Sequence, residues 1–176
     1  IYYKAKLFFQ MKLNSILSIS LLLAITLFSC DSNQWEVATE KIVLKQNYSR
    51  FDLDIKNLVN EGTSQEDWEL LIEKYPNFFP LYIEGVMGFG RVVGPLTLTV
   101  FNQYLSNDDI LKVLNYTEKS YPEGSLKPEF TDLGNAFKRY HYYFPERIVP
   151  NVVTMTAAFN YATAADDQVL AIGLDM

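Results

Sequence analysis

Few side chains in this sequence have the type and spacing that catalysis or metal binding requires. One histidine, His141, and one cysteine, Cys30, lie far apart in the chain, and neither has a second His or Cys to work with. The sequence contains no HExxH segment, no Cys–His cluster with zinc spacing and no G-x-S-x-G segment. We therefore predict no catalytic residue, no metal ligand and no cofactor, and the interpretation leans away from an enzyme.

Three other positions have chemically notable side chains or spacing. Gly88-x-Gly90 is followed by Arg91 where a phosphate loop would need a third glycine, so nucleotide binding is disfavoured. Glu84 lies within an apolar block, and a buried carboxylate needs a partner, which predicts an ion pair with Arg91. Asp175 is a weak candidate for a site, because an Asp at a strand end usually forms a turn or a cap.

Cys30 has a context that predicts covalent lipidation. Lys12 precedes an apolar run over residues 16–28, which is shorter than the roughly 20 residues of a bilayer-spanning helix, so a secretory signal is favoured. The residues directly before Cys30 resemble the lipobox of bacterial lipoproteins, in which the thiol is acylated before cleavage; they are Leu27, Phe28 and Ser29. We expect a lipid-anchored, periplasm-facing protein of the cell envelope, on either the inner or the outer membrane.

The same signal divides the chain. We interpret residues 1–10 as an upstream extension ahead of Met11, with a genuine extended signal head as the alternative. Residues 11–29 are then the lipoprotein signal peptide, residues 30–40 the lipidated Cys and its tether, and residues 41–176 the domain. Without the leader, 12 basic and 21 acidic residues leave a net charge of about −9 and no basic patch, which argues against nucleic-acid binding.

The hydrophobic pattern predicts an α+β fold, mostly helical at first and followed by an antiparallel β-hairpin or small sheet. A first strand is expected at residues 41–45, leading into a helix capped by Asp52 or Asp54. The next helix is capped by Thr63 and Glu66, and further helices cover residues 97–105 and 128–144. Residues 152–159 and 168–174 alternate with a period of two, and a polar loop over 160–167 would join them as a hairpin. Gly173 suggests a close backbone approach or a bulge.

Several segments together resemble the GldB family of gliding motility lipoproteins of Bacteroidetes. Besides the lipobox, they are Arg50-Phe51-Asp52, residues 75–85, Ala136-Phe137-Lys138, residues 142–146, residues 159–161 and residues 172–176. The resemblance implies an envelope lipoprotein that works with other gliding and secretion proteins through protein contacts. That family continues beyond the segment at 172–176, so we expect a C-terminally truncated member whose second strand keeps an unpaired edge and whose stability is poor.

The resemblance also implies an alternative function. The family is distantly similar to a class of zinc-dependent peptidases, so the fold could instead form a peptide-binding groove. The metal site of such a protein would lie beyond Met176.

Overall fold

The structure, a computed structural model, describes residues 37–59 and 62–176. Residues Thr39–Met176 form one unit of six helices and four short strands. In chain order the elements are β1 (Tyr48–Arg50), α1 (Phe51–Leu58), α2 (Gln65–Lys74), α3 (Phe78–Pro80, continued by a π-helical turn at Leu81–Val86), α4 (Thr97–Leu105), α5 (Asp108–Ser120), α6 (Lys127–Tyr143), β2 (Asn151–Met155), β3 (Thr163–Ala165) and β4 (Val169–Gly173). The predicted α+β class is confirmed.

The four strands form one sheet in the order β1-β2-β4-β3. β1 pairs with β2 in parallel, with Tyr48 opposite Val152, and β2 pairs with β4 in parallel, with Asn151 opposite Val169. Only β3 is antiparallel, with Thr163 opposite Ile172 on β4. The expected antiparallel hairpin between residues 152–159 and 168–174 is therefore wrong, because the connection between them is long enough to bring the chain back and to contribute β3.

Two further expectations about β4 can be judged from this order. β4 lies between β2 and β3, so the prediction that it keeps an unpaired edge is wrong. Gly173 does mark a close backbone approach, as predicted: a Cβ there would lie 2.5 Å from the carbonyl oxygen of Tyr161. Because Gly173 has no side chain, the chain before β3 can pass directly against β4, where Gly173 N donates to Ala162 O (2.8 Å).

Aromatic rings fill the space between the sheet and the helices. Phe51, at the start of α1, is fully buried, and its ring centroid lies 4.8 Å from Tyr82 and 4.9 Å from Phe78. Trp68 of α2 continues the cluster towards α4, 5.3 Å from Phe101. Edge-to-face rings of this kind add to the free energy that their burial contributes. This cluster fixes α1 to α4 against one face of the sheet.

Two element boundaries differ from the sequence-based prediction. The first strand is Tyr48–Arg50, because this is the part of the N-terminal segment that pairs with β2. Residues 41–45 lie outside the sheet. The capping box of α2 lies one residue later than expected: Ser64 Oγ accepts from Asp67 N, and Asp67 accepts from Ser64 N. Thr63 is buried, and its backbone N–H and carbonyl are bound by the amide of Asn102, so it holds the entry to the helix instead.

α6 packs less deeply than its apolar stripe predicted. None of its residues is fully buried, and Tyr142 (52% exposed), Tyr143 and Phe144 (54%) project from its C-terminal end. Its first half is held by Phe130, whose ring lies 4.8 Å from that of Tyr48 on β1. In the described part of the chain, no helix has the length and apolar character that crossing a bilayer requires.

Candidate functional site

The carboxyl ends of β2 and β4 carry a buried polar cluster. Because both strands run in the same direction, their C-terminal ends meet at one edge, the edge at which open parallel sheets usually place ligands. Asp175, two residues after β4, is buried there, and its carboxylate accepts hydrogen bonds from the N–H groups of Ala157 and Phe159, each at 3.1 Å. Asp175 thus ties the end of β4 to the turn that follows β2, which agrees with the turn-forming role preferred from the sequence.

The turn held by Asp175 is conformationally strained. Ala158 (φ 50°) and Phe159 (φ 62°) are consecutive non-glycine residues in the left-handed region, which side chains with a Cβ rarely adopt. Strain of this kind persists where surrounding contacts impose it, and it is concentrated at functional positions. Its result here is that the Phe159 ring is held outward, 63% exposed.

Two tyrosines lie behind this turn. Tyr82, from the π-helical part of α3, is fully buried and donates a hydrogen bond to the carbonyl oxygen of Thr156 (2.9 Å). Burial raises the pKa of Tyr82 well above its usual value, and the neighbouring Tyr104 and Asp175 raise it further. Burial also raises the pKa of Tyr104 to about 12, and the negative charge of Asp175 adds to the shift. Both phenols are therefore neutral at pH 7 and cannot act as general bases.

A cavity of about 460 Å³ opens in front of the cluster. Its walls come from α5, from the strained turn and from the end of the chain after β4, with Tyr116, Phe159 and Asp175 among the lining residues. The hydroxyl of Thr117 on α5 is buried without a hydrogen-bond partner among the described residues. We name the surface formed by Tyr116, Tyr121 and Phe159 the turn face.

A second buried polar group lies at the carboxyl end of β1, an outer strand of the sheet, and joins that strand to the helices. Arg50, the last residue of β1, forms a forked ion pair with Asp52, at 2.9 Å from Nε to Oδ1 and 2.6 Å from Nη2 to Oδ2. Thr154 on β2 donates its hydroxyl to Asp52, and Arg50 also donates to the carbonyl oxygen of Tyr121 (2.7 Å). The Arg50-Phe51-Asp52 segment therefore connects β1, α1, β2 and the end of α5.

The remaining candidates from the sequence make structural contacts or lie apart. Glu84 is exposed, and its carboxylate accepts from the backbone N–H of Val92 (2.9 Å), so the predicted buried ion pair with Arg91 is wrong. The reason is that the π-helical turn rotates Glu84 away from the aromatic core. His141 lies on α6, with its buried Nδ1 unbonded among the described residues. Leu27, Phe28, Ser29 and Cys30 fall outside the described residues.

The chemistry of these groups is that of a scaffold. The carboxylates of Asp52 and Asp175 both accept hydrogen bonds from groups within the fold, and the buried tyrosines stay protonated. Within residues 37–59 and 62–176, no group of three or more His, Cys, Asp or Glu side chains is arranged to hold a metal ion. Sequence reasoning considered Asp52 as a cap of the first helix and missed its buried ion pair with Arg50.

Comparison with known proteins places the chain in a family. The profile of a family described as gliding motility protein GldB matches residues 32–176, which is most of the chain. The matched span includes both the Arg50–Asp52 pair and the turn held by Asp175. Neither the curated proteins nor the solved structures gave a significant match. By its sequence profile, the chain belongs to the GldB family of gliding motility proteins.

Proposed function

We propose that this protein is a lipid-anchored component of the gliding motility apparatus that acts through contacts with other proteins of the cell envelope. The observation that carries the proposal is the family match over residues 32–176, which connects the chain to gliding motility. The lipobox before Cys30 supports the anchor, and a two- or three-chain acyl anchor holds a protein firmly to a bilayer.

The proposed protein contacts involve the turn face. Phe159 lies in a strained turn that Asp175 holds in place, so the backbone that carries its exposed ring is already ordered before binding. Tyr116, 73% exposed, and Tyr121 extend the same surface, and aromatic side chains dominate the centres of protein interfaces. We infer that the partner is another protein of the gliding apparatus that places apolar side chains against these rings.

One complementation experiment tests both parts. A gliding strain that lacks this gene receives the wild type, Cys30→Ser, Phe159→Ala or the control Tyr161→Ala, and acyl labelling and colony spreading are measured for each. We expect Cys30→Ser to lose both the label and spreading. Phe159→Ala should keep the label and lose most spreading, because only the partner contact is removed. Tyr161, exposed but outside the turn face, should tolerate the change.

The outcomes separate the two claims. Equal acyl labelling of wild type and Cys30→Ser would refute the lipid anchor while leaving the contact surface standing. Normal spreading with Phe159→Ala at wild-type protein levels would refute the turn face as the contact surface. Protein levels are measured by immunoblot, so that a loss of spreading is not confused with a loss of protein.

A further inference from the structure

The C-terminal end of α6 displays a dense group of exposed aromatic rings. Tyr140 packs against Phe144 with ring centroids 5.3 Å apart, and Tyr142 packs edge-on against Tyr143 at 5.2 Å. All four rings are at least one-third exposed, and Ile148 beyond the helix is 62% exposed. Soluble proteins rarely expose many large apolar side chains close together, and such groups often mark an interaction site. We name Tyr140, Tyr142, Tyr143, Phe144 and Ile148 the aromatic end.

The chain leading from Cys30 joins the fold beside the aromatic end. Gln46 donates to the carbonyl oxygen of Pro150 (2.9 Å), and the N–H of Asn47 donates to the side chain of Asn151 (3.0 Å). Pro150 follows Ile148 by two residues, so the incoming segment and the aromatic end share the amino-terminal edge of the sheet. Cys30 precedes Gln46 by sixteen residues, a stretch that spans at most about 55 Å when extended.

The chemistry of the rings fits a lipid surface. Tyrosine combines an apolar ring with a polar hydroxyl, and such side chains collect at the boundary between lipid headgroups and acyl chains. Three of the four rings at the end of α6 are tyrosines, and their hydroxyls would remain in contact with water or headgroups.

Charge contributes little to this surface. Lys138, Arg139 and Arg147 lie near the aromatic end, but Glu146, Asp166 and Asp167 balance them, and the latter three line a cleft of about 440 Å³ with Tyr140 and Ile148. Attraction to anionic lipids is therefore not the driving force, and contact with a bilayer should depend on the rings alone.

We propose that the aromatic end lies in the interfacial layer of the membrane to which Cys30 is anchored, so that the protein touches the bilayer at a second place. This inference rests on the proposed lipid anchor, which brings the domain close to a bilayer. It also orients the domain, because the turn face lies at the carboxyl-terminal edge of the sheet and would point away from the membrane.

Vesicles that carry brominated phosphatidylcholine test the contact. The processed chain is coupled through Cys30, its only cysteine, to a maleimide lipid, so that proximity to the bilayer does not depend on acylation in the cell. Quenching of Trp emission by bromine is then compared between Tyr143→Trp at the aromatic end and Tyr116→Trp on the turn face. The unsubstituted protein, with its own Trp35 and Trp68, is subtracted as background.

We expect the added emission of Tyr143→Trp to be lost in brominated vesicles and that of Tyr116→Trp to be retained. The loss should be the same in phosphatidylcholine alone and with phosphatidylglycerol, because the contact is not electrostatic. Equal quenching of the two variants, or quenching of Tyr143→Trp only with the anionic lipid, would overturn the proposal. Because the coupling is chemical, a failure here is distinct from a failure of Cys30 acylation.

Discussion

Asp52 is a buried carboxylate in the first turn of α1. Its side chain is almost completely buried and pairs with Arg50, while the hydroxyl of Thr154 donates to the same carboxylate. A buried ion pair is weak evidence for net stability, because desolvation offsets much of the attraction. Removing one partner does lower the stability, because the other charge then remains buried and uncompensated.

We therefore expect Asp52→Asn to lower the free energy of unfolding by about 3 kcal/mol, because it leaves the Arg50 guanidinium without its counter-charge. Urea denaturation followed by far-UV circular dichroism measures the change. Asp109→Asn is the matched control: it breaks the pair with Lys112, which is exposed on both sides and screened by water. If both variants unfold at the same urea concentration, the Arg50–Asp52 pair has no special structural role.

Among the elements, α2 has the best-defined start. The side chain of Ser64 accepts from Asp67 N at 3.1 Å and donates to the Asp67 carboxylate at 2.6 Å. The Ser64 hydroxyl and then the Ser64 backbone N–H lower the pKa of Asp67, because both stabilise its charged form. A carboxyl with a lowered pKa in the folded state contributes stability above its unfolded pKa of 3.8 and loses it as the pH falls further.

Ser64→Ala should destabilise the protein by about 1 kcal/mol at neutral pH, which is typical for the loss of a helix cap. The difference between wild type and variant should shrink below pH 3.8, where the Asp67 carboxyl becomes protonated in both. Thermal unfolding across that pH range measures both effects. Ser125→Ala, in the exposed loop before α6, is the control and should change little. A gap that stays constant into acid would show that Asp67 takes no part in the cap.

How far the elements could be predicted from sequence depended on the range of the contacts that define them. α4 was predicted to the residue and α6 to within one, because local apolar spacing and a following proline determine such helices. The pairing of β2 with β4 was missed, because parallel pairing depends on what the intervening chain does. The hydrogen bond from Thr154 to Asp52 joins residues 102 positions apart, and no local pattern in the sequence could indicate it.

At the scale of the whole molecule, tyrosines buried in the aromatic core affect the stability of the protein at alkaline pH. Burial raises the pKa of Tyr104 to about 12, compared with 10.0 for an unperturbed tyrosine. Because the folded pKa is the higher one, the buried phenol contributes stability that is present below pH 10 and is lost as the pH rises towards about 12.

Tyr104→Phe should therefore remove phenolate absorbance that the wild type gains near pH 12. A difference titration at 295 nm between the two proteins measures the midpoint of the missing step. The same titration of the unfolded proteins in urea is the control, and its missing step should lie near pH 10. A midpoint near 10 in the folded proteins would mean that Tyr104 is open to solvent.

The pairing of β1 with β2 constrains the order in which the protein can fold. Val152, the partner of Tyr48, lies 104 positions later in the chain, so β1 has no strand partner while the helical segments are being made. Such long-range closure is slow and exposes strand edges to other chains. We therefore expect the sheet to form after the helices, with the open edge of β1 available to other chains until β2 has been made.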